Sequence, residues 1–329
     1  MARHKLCIHV FTGTGNTFHA ARIMQHSLRT QGLECHVLDI ERPSDCAGLS
    51  ATHIFMFPVY AGSVPEIMLR HMSKMHLANG ADAAVIATFG SRSPGKDGQE
   101  GRALEQASIV LASRGYDVFY TNVAAYPVNF TAVINPPDGE TTKRIITRAA
   151  CQMRDMAEEI SSLKRYRRRP SIFIYFISTV AGSLFLLFGR RLLGKCYIAD
   201  AKCTGCAVCA RACPDGVIVM QSGRPAWDIS CQACQRCINI CPQQAIQLSL
   251  VRAAVIILGM FVPWHMLLGL YGIGFWRALL INVPLYFIIM LFVDYALRYA
   301  ENFAPLRRLL SISLTRTYRR YMEEGFRRK

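Results

Sequence analysis

Residues Cys203–Pro214 read CTGCAVCARACP, and residues Cys231–Pro242 read CQACQRCINICP. Both stretches follow the pattern C-x2-C-x2-C-x3-C-P, so eight cysteines recur at one spacing in two copies. Three thiolates at this spacing can bind one 4Fe-4S cubane, and the fourth cysteine, which precedes a proline, ligates the other cluster. The pattern therefore predicts a small domain that holds two clusters and folds only together with them.

The predicted ligand sets cross between the two copies. The first cluster is expected to take Cys203, Cys206, Cys209 and Cys241, and the second Cys231, Cys234, Cys237 and Cys213. Zinc is the main alternative, because a single C-x2-C pair also occurs in zinc sites. Two tandem runs of four cysteines, each closed by Cys-Pro, favour clusters over zinc.

The composition indicates membrane segments beside soluble domains. Apolar residues make up 52% of the 329 residues, and the mean hydropathy is positive at +0.21. The net charge of +16 predicts attraction to anionic lipid or to an acidic protein. Nucleic acid is not expected as a partner, since no recognition motif accompanies the basic residues. No signal peptide is expected either, because the first residues lack a long apolar run.

Residues 1–164 alternate strand-like apolar runs with helical patterns. The expected strands are 6–11, 35–40, 53–57, 84–88 and 118–124, and the expected helices are 18–30, 64–75, 101–114 and 141–163. Such alternation predicts an α/β domain, a doubly wound parallel sheet covered by helices on both faces. Ligands bind such sheets at the carboxyl ends of the strands, so the loops 12–17, 58–64 and 89–97 become the candidates.

The first of these loops has the chemistry of a phosphate site. It lies between the first strand and the first helix and contains Thr12, Gly13, Thr14, Gly15, Asn16 and Thr17. Glycines let the backbone approach a ligand, and free N–H groups at a helix start favour an anion. No Gly-Lys-Ser/Thr follows, so the loop is not that of a nucleoside triphosphatase. Its hydroxyls suit a terminal phosphate monoester.

These residues resemble those of the flavodoxins. The loop Thr12–Thr17 looks like the flavodoxin loop that binds the phosphate of FMN. The stretch PVYAGSVP resembles the loop whose aromatic residue stacks on the flavin, which implies FMN contacts by Pro58, Tyr60 and Gly62. The resemblance also implies a contact by Gly90 in the third loop, although that loop lacks the acidic residues of many flavodoxins.

The resemblance extends to a fusion family over residues 5–248. The stretch Tyr126–Phe130, which reads YPVNF, is similar to a motif of a subfamily that joins a flavodoxin domain to a two-cluster ferredoxin. The resemblance therefore implies a flavodoxin-like FMN domain at 1–164, a bacterial-type ferredoxin domain with two 4Fe-4S clusters at 196–250, and electron transfer between FMN and the clusters.

Between these domains, residues 165–195 form a basic and apolar linker. Residues 172–188 are 17 largely apolar residues with arginines on both sides. A membrane span needs about 20 residues, so we expect a helix in the membrane interface, with a single span or a buried core helix as alternatives. A single crossing would also separate the flavin from the clusters.

The C-terminal part predicts a transmembrane helical hairpin at 251–298. The expected spans are 253–271 and 276–297, and flanking arginines indicate that both ends face the cytoplasm. A soluble apolar hairpin is the alternative. In the tail at 299–329, a four-residue spacing of apolar residues predicts one basic amphipathic helix on the membrane: Leu306, Leu310, Leu314, Tyr318 and Met322.

Together these features predict an electron-transfer protein at the cytoplasmic face of the membrane. It would pass electrons between FMN and two clusters to an unknown redox partner protein. The alternative is a flavin-dependent iron–sulfur reductase that acts on a small substrate such as a quinone. A redox-sensing nucleic-acid binder is a third class, which lacks a supporting motif.

Overall fold

The N-terminal strand sequences form one parallel sheet in a computed structural model that describes residues 5–42, 52–94, 100–265 and 274–326. Its strands are β1 (Lys5–Val10), β2 (Glu34–Asp39), β3 (Thr52–Pro58), β4 (Asp82–Ser91), β5 (Asp117–Pro127) and the short β6 (Tyr166–Arg167). They are ordered β2-β1-β3-β4-β5-β6, and every neighbouring pair is parallel.

Helices cover both faces of this sheet. They are α1 (Asn16–Thr30), α2 (Glu66–Lys74), α3 (Ala103–Ser113) and α4 (Gly139–Ser161). On one face α1 and α4 bury Met24 and Met153 against Ile8. On the other face α2 and α3 bury Met68 and Leu111. Each such side chain contributes roughly 1.5–3 kcal/mol through the apolar surface that it removes from water.

The strand order confirms the predicted fold class. The order 2-1-3-4-5 of parallel strands, wound on both faces, is that of the flavodoxin-like folds, in which the strand order reverses between β1 and β3. Because parallel strands end at one edge, the segments after Val10, Pro58 and Ser91 emerge on the same side of the sheet. Of the third predicted loop, residues 95–97 lie outside the described residues.

The helical run in the linker is longer than the apolar stretch 172–188. It contains α5 (Ile172–Leu184), a π-helical turn (Phe185–Gly189) and α6 (Arg190–Lys195), and Ser171 caps its start. This run of 24 residues has a mean hydropathy of 2.1 and is long enough to cross a membrane. The expected length of 17 residues was too short, because helical geometry continues through the arginines after Gly189.

The chain forms two units that interleave along the sequence. The first contains Met1–Gly189, Cys234–Asn239 and Arg319–Lys329, and the second contains Arg190–Ala233 and Ile240–Tyr318. Part of the second cysteine motif and the end of the chain therefore belong with the parallel sheet.

The second unit combines short hairpin strands with two apolar helices. Strand β7 (Tyr197–Ala199) pairs with β10 (Ile246–Leu248), and β8 (Ile218–Gln221) pairs with β9 (Arg224–Trp227), both antiparallel. The short helix α7 (Val208–Arg211) lies within the first cysteine motif, whereas α8 (Arg236–Ile240), within the second motif, belongs mostly to the first unit.

The apolar helices of this unit pack against each other. They are α9 (Leu250–His265) and α10 (Phe275–Ala300), and Tyr286 on α10 donates from its hydroxyl to the carbonyl of Ile256 on α9 at 3.2 Å. The stretch Trp276–Ala300 has a mean hydropathy of 2.0 and is also long enough to cross a membrane. Residues 266–273, which include the predicted turn of the hairpin, lie outside the described residues.

The prediction of one amphipathic helix in the tail was wrong. Helix α11 (Ala304–Leu310) ends at Ser311, a 3₁₀ turn follows at Leu314–Thr317, and residues 318–323 are not helical. Tertiary hydrogen bonds explain the break, because Thr315 donates from Oγ1 to Gln247 at 2.7 Å and accepts from the amide of Leu248 at 3.1 Å. These bonds hold the tail against β10 and override the helical spacing.

Candidate functional site

The Thr/Gly loop joins the end of β1 to the start of α1. Gly15 precedes the helix at φ 106°, a left-handed conformation that glycine adopts without strain. Its amide donates to Thr12 Oγ1 at 3.0 Å, which holds the loop closed. Thr12 and Thr14 are 3% and 0% exposed, so the hydroxyls of this loop lie inside the unit.

Residues of β4, of the end of β5 and of the segment that follows β5 hold the remaining side chains of the loop. Thr17 and Thr88 share a hydrogen bond of 2.7 Å between their hydroxyls. Asn16 donates to the carbonyl of Pro127 at 2.9 Å, and Asn129 donates to Thr14 Oγ1. The stretch Tyr126–Phe130, singled out from its sequence, therefore lies against the predicted phosphate loop.

Of the other predicted flavin contacts, Tyr60 reaches this loop. Its hydroxyl lies 2.8 Å from the position that a Cβ would take on Gly13, and its ring meets Phe11 edge-on at 6.5 Å. The carbonyl oxygen of Cys234 lies closer still, 2.4 Å from the same position, so this backbone contact leaves room only for glycine at position 13.

Three further predicted contacts have other neighbours. Pro58 is the last residue of β3 and pairs with Thr88 in the sheet. A Cβ on Gly62 would lie 2.9 Å from Ser178 Cβ, and one on Gly90 would lie 3.1 Å from Val128 Cα. Gly62 thus marks a close approach to α5, and Gly90 a close approach to the segment after β5.

The end of the chain covers the Thr/Gly loop. The amide of Glu323 donates to the carbonyl of Thr14 at 2.9 Å, and the hydroxyl of Tyr321 donates to Asn16 Oδ1 at 2.7 Å. A Cβ on Gly15 would lie 2.7 Å from Phe326 Cβ. We call residues 319–326 the C-terminal strap. No sequence pattern predicts this strap, because its contacts depend on the path of the chain after Thr317.

Arg236, between two cysteines of the second motif, also contacts the loop. It is 1% exposed and donates from Nε to the carbonyl of Gly13 at 2.9 Å. Two further bonds of 2.7 Å join its guanidinium to the carboxylate of Glu41. Burial opposes the charged form of Arg236, but the hydrogen bonds and the charge of Glu41 raise its pKa above the usual value.

The residues of this loop fit the phosphate of FMN. Hydroxyls of Thr12, Thr14 and Thr17 and the amide of Asn16 surround the first turn of a helix of 15 residues, whose N–H groups favour an anion. The donor set is therefore that of a phosphate site, and the C-terminal strap closes it from solvent.

Four cysteines of the second unit line one cavity. They are Cys203, Cys206 and Cys209 from the first motif and Cys241 from the end of the second. Burial, followed by the charges of Cys241, Cys203 and Cys206, raises the pKa of the Cys209 thiol to about 11. The structure thus brings together the four residues predicted for the first cluster, and four thiolates are the ligand set of a cubane.

The structure places two residues predicted for the second cluster near each other. Burial, with a smaller contribution from the charge of Cys213, raises the pKa of the Cys231 thiol to about 11. Arg190 donates to the carbonyl of Cys231 at 3.2 Å. The other two predicted ligands, Cys234 and Cys237, belong to the first unit, and a Cβ on Gly13 would lie 2.4 Å from the carbonyl oxygen of Cys234. Within the described ranges, no three His, Cys, Asp or Glu side chains gather around a position for a single metal ion.

Comparison with protein families supports the iron–sulfur domain. The family described as the 4Fe-4S dicluster domain matches residues 202–246, which contain both cysteine motifs. This domain and the flavodoxin-like sheet support a fusion of the two, with an electron-transfer role. No curated protein matches the chain.

Solved flavodoxins and flavodiiron proteins are similar to part of this chain. Flavodoxin 1 from Bacillus cereus shares 16% identity at a TM-score of 0.33, over 48% of this chain and 96% of that one. A flavodoxin from Pseudomonas aeruginosa gives the same identity and TM-score, over 48% and 99% of the two chains. The flavodiiron protein from Giardia intestinalis shares 17% identity at a TM-score of 0.33, over 49% of this chain and 37% of that one.

Sequence reasoning missed Arg236, Glu41 and the C-terminal strap. Arg236 had a usable signal, because a charged residue two positions after one cluster cysteine and directly before the next is costly to bury without a partner. Glu41 follows β2 in an ordinary turn, and nothing in its neighbourhood identifies it as that partner.

Proposed function

We propose that this chain is a membrane-associated electron-transfer protein that passes electrons between FMN and two 4Fe-4S clusters to a redox partner protein. The observation that carries the proposal is the contact of Arg236, from a cluster motif, with the phosphate loop at Gly13. This contact holds part of the second cysteine motif against the phosphate loop within one unit.

The cysteine residues supply the cluster half of the proposal. The cavity lined by Cys203, Cys206, Cys209 and Cys241 supports the crossed ligation of the first cluster. By the same pattern Cys231, Cys234, Cys237 and Cys213 hold the second. Bound clusters supply one-electron steps, and the role of the chain is to hold them and to exclude water.

The Thr/Gly loop supplies the flavin half. Thr12, Thr14, Asn16 and Thr17 bind the phosphate of FMN, and Tyr60 lies beside them to contact the flavin ring. The C-terminal strap excludes water from this loop through Tyr321 and Phe326. FMN takes up or releases electrons singly or in pairs, which suits a site between a two-electron donor and one-electron clusters.

The apolar helices support membrane attachment on the cytoplasmic side. Ile172, Phe173 and Phe176 on α5 are 88%, 71% and 69% exposed, while Ser178 and Gly182 pack on the loop Ala61–Ser63. A helix whose middle contacts a soluble domain cannot cross a bilayer there, so we propose that α5 lies in the interface. The pair α9 and α10 enters the membrane, with Arg252 and Arg298 on the cytoplasmic side.

The alternative function is a flavin-dependent iron–sulfur reductase with a quinone as its substrate. A separate cavity at the end of α10, described below, favours this class of acceptor over a purely protein partner. The two functions share the cofactors and differ in where the electrons leave.

An anaerobic optical spectrum of the full chain in detergent tests the function. We expect flavin bands together with the broad absorbance of iron–sulfur clusters. A low-potential one-electron donor such as dithionite should bleach both, whereas NADH alone should not.

A colourless protein, or one with zinc in place of iron, would contradict the proposal. Rapid bleaching by NADH would also count against a carrier and favour a reductase that takes hydride directly.

A further inference from the structure

We infer that the second unit contains a binding site for a quinone, between the cluster cysteines and the last turns of α10. This inference rests on the alternative function proposed above, the iron–sulfur reductase, and locates the site of its quinone substrate. The site is a cavity of about 380 Å³, within the range of pockets that bind small ligands.

Cysteines of the second unit that are predicted for each of the two clusters lie near this cavity. Gly194 lines it, and a Cβ on Gly194 would lie 3.2 Å from Cys231 Sγ. Pro225 lines it as well, and the same proline lines the cavity of Cys203, Cys206, Cys209 and Cys241. One residue thus separates a ligand in this cavity from each cysteine site, which is a short path for an electron.

An unbalanced group of buried charges lines the cavity. Asp294 accepts from Lys195 at 2.9 Å, from Arg252 at 3.0 Å and from Arg298 at 2.6 Å. Glu301 accepts from Arg252 Nε at 3.0 Å. Arg224 lines the cavity as well, so four cations face two carboxylates and two positive charges remain in a partly buried place. Such a place favours a ligand that brings oxygen acceptors.

Aromatic side chains complete the walls. Tyr197 and Trp227 have ring centroids 5.5 Å apart, and Tyr295 and Tyr299 line the cavity from α10. The buried indole Nε1 of Trp227 has no hydrogen-bond partner among the described residues. Aromatic walls suit a flat ring, and the indole N–H of Trp227 and the excess positive charge suit carbonyl oxygens. A quinone has both features, because it is a flat ring with carbonyl oxygens at opposite ends.

The position on α10 gives such a ligand access from lipid. The cavity takes Leu291, Tyr295 and Tyr299 from the last turns of a helix that is apolar over 25 residues. Tyrosines at a helix end are typical of the membrane interface, and ionisable residues in apolar helices mark functional sites. A lipid phosphate would also satisfy the cations, but it does not explain the aromatic walls or the adjacent cysteines.

The redox step balances with the proposed cofactors. The quinone takes two electrons and two protons and becomes the quinol. Two reduced 4Fe-4S clusters, bound by the predicted cysteines, would supply these electrons, one from each, and would be left oxidised, while water would supply the protons.

Calorimetric titration of decylubiquinone into the oxidised full chain in phosphatidylcholine nanodiscs tests the site, with empty nanodiscs as the blank. We expect saturable binding above the blank. Trp227→Phe removes the indole donor and should weaken binding roughly threefold to tenfold. Leu291→Trp narrows the cavity and should weaken it further. The matched control is Trp276→Phe, because Trp276 is 73% exposed at the other end of α10 and lies outside the cavity.

Uptake equal to that of empty nanodiscs would overturn the inference, as would saturable binding that neither cavity variant changes. Displacement of the quinone by added phosphatidylglycerol would overturn it too, since the cavity would then belong to a lipid phosphate. The absorption spectrum of the same sample separates the two proposals. Cluster absorbance without quinone binding contradicts this inference alone, and a missing cluster spectrum contradicts the proposed function.

Discussion

Arg236 Nη2 lies 2.7 Å from Glu41 Oε1, and the two side chains are 1% and 2% exposed. The same guanidinium donates to the carbonyl of Gly13, so one buried residue ties the second cysteine motif to the phosphate loop. Phe326 of the C-terminal strap lies over this guanidinium, with its ring centroid 5.4 Å away.

Glu41→Gln tests this link. The change leaves the Arg236 charge buried without its counter-charge, a loss that typically costs about 3–5 kcal/mol. We expect a lower urea midpoint for the release of flavin, measured by fluorescence of the full chain in detergent.

The control for Glu41→Gln is Glu105→Gln. Glu105 pairs with Arg167 at 3.8 Å, and the side chains are 42% and 44% exposed. An exposed pair of this kind contributes about 0–1 kcal/mol, so the midpoint should hardly move. Equal midpoints for both variants would show that the buried pair does not hold the loop.

Local pattern was enough to predict the parallel sheet and the 4Fe-4S domain. The predicted strands are apolar runs bounded by glycine or polar residues, such as 6–11, which overlaps the observed strand Lys5–Val10, and a cluster domain depends on the spacing of its cysteines. The order of the strands confirms what the alternation indicated.

Features that depend on distant contacts were not predictable. The four-residue spacing from Leu306 to Met322 indicates a helix, yet the hydrogen bonds of Thr315 to Gln247 and Leu248 end it. Asp294 sits at the end of an apolar run, and only the fold brings Lys195 and Arg252 to it. Sequence spacing carries no information about such pairs.

Cys241→Ala tests the crossed ligation. Cys241 lies in the second motif but shares a cavity with the first three cysteines, so its loss should damage the cluster of the first motif. We expect about half of the iron to remain, with the electron paramagnetic resonance signal of the other cluster intact.

The control for Cys241→Ala is Cys151→Ala, since Cys151 is exposed and lies outside both motifs. That variant should keep all of its iron. If Cys241→Ala instead removed only the cluster of the second motif, each motif would hold its own cluster and the crossed assignment would be wrong.

Thr14→Val tests the phosphate loop. The substitution keeps the shape of the side chain and removes the hydroxyl, which we expect to donate to the phosphate of FMN. Hydrogen bonds to charged groups contribute about 1.5–3 kcal/mol, so FMN should bind roughly 10- to 100-fold more weakly in a fluorescence titration.

Riboflavin, which lacks the phosphate, is the control ligand. Its affinity should be the same in the wild-type protein and in the Thr14→Val variant. An equal loss for both flavins would mean that Thr14 supports the loop through Asn129 without contacting the phosphate.

Three histidines in the core of the first unit predict a pH dependence of stability. His9 is bonded to His71 at 2.9 Å and to His53 at 3.0 Å, one through each ring nitrogen. Burial, followed by the charges of His71 and His53, lowers the pKa of His9 well below its usual value. Burial alone lowers the pKa of His71 to about 4.

The direction of this pH dependence follows from the number of protons that the folded and the unfolded chain bind. An unfolded histidine has a pKa near 6.5, so between pH 6.5 and 4 the unfolded chain binds more protons than the folded one. Stability is therefore complete above pH 6.5 and falls as the pH drops through this window. At pH 5 the share of His71 amounts to roughly 2 kcal/mol.

Urea unfolding at pH 7 and pH 5, followed by far-ultraviolet circular dichroism, measures this loss. His71→Gln keeps a hydrogen-bonding side chain beside His9 but cannot titrate, so its midpoint should fall less between the two pH values than that of the wild type. His26→Gln is the control, because His26 is exposed and lies outside this group, and its midpoint should fall as in the wild type. If the midpoint fell equally in all three proteins, the acid sensitivity would arise elsewhere in the chain. A buried neutral histidine that causes the loss of stability must, once removed, make the midpoint depend less on pH.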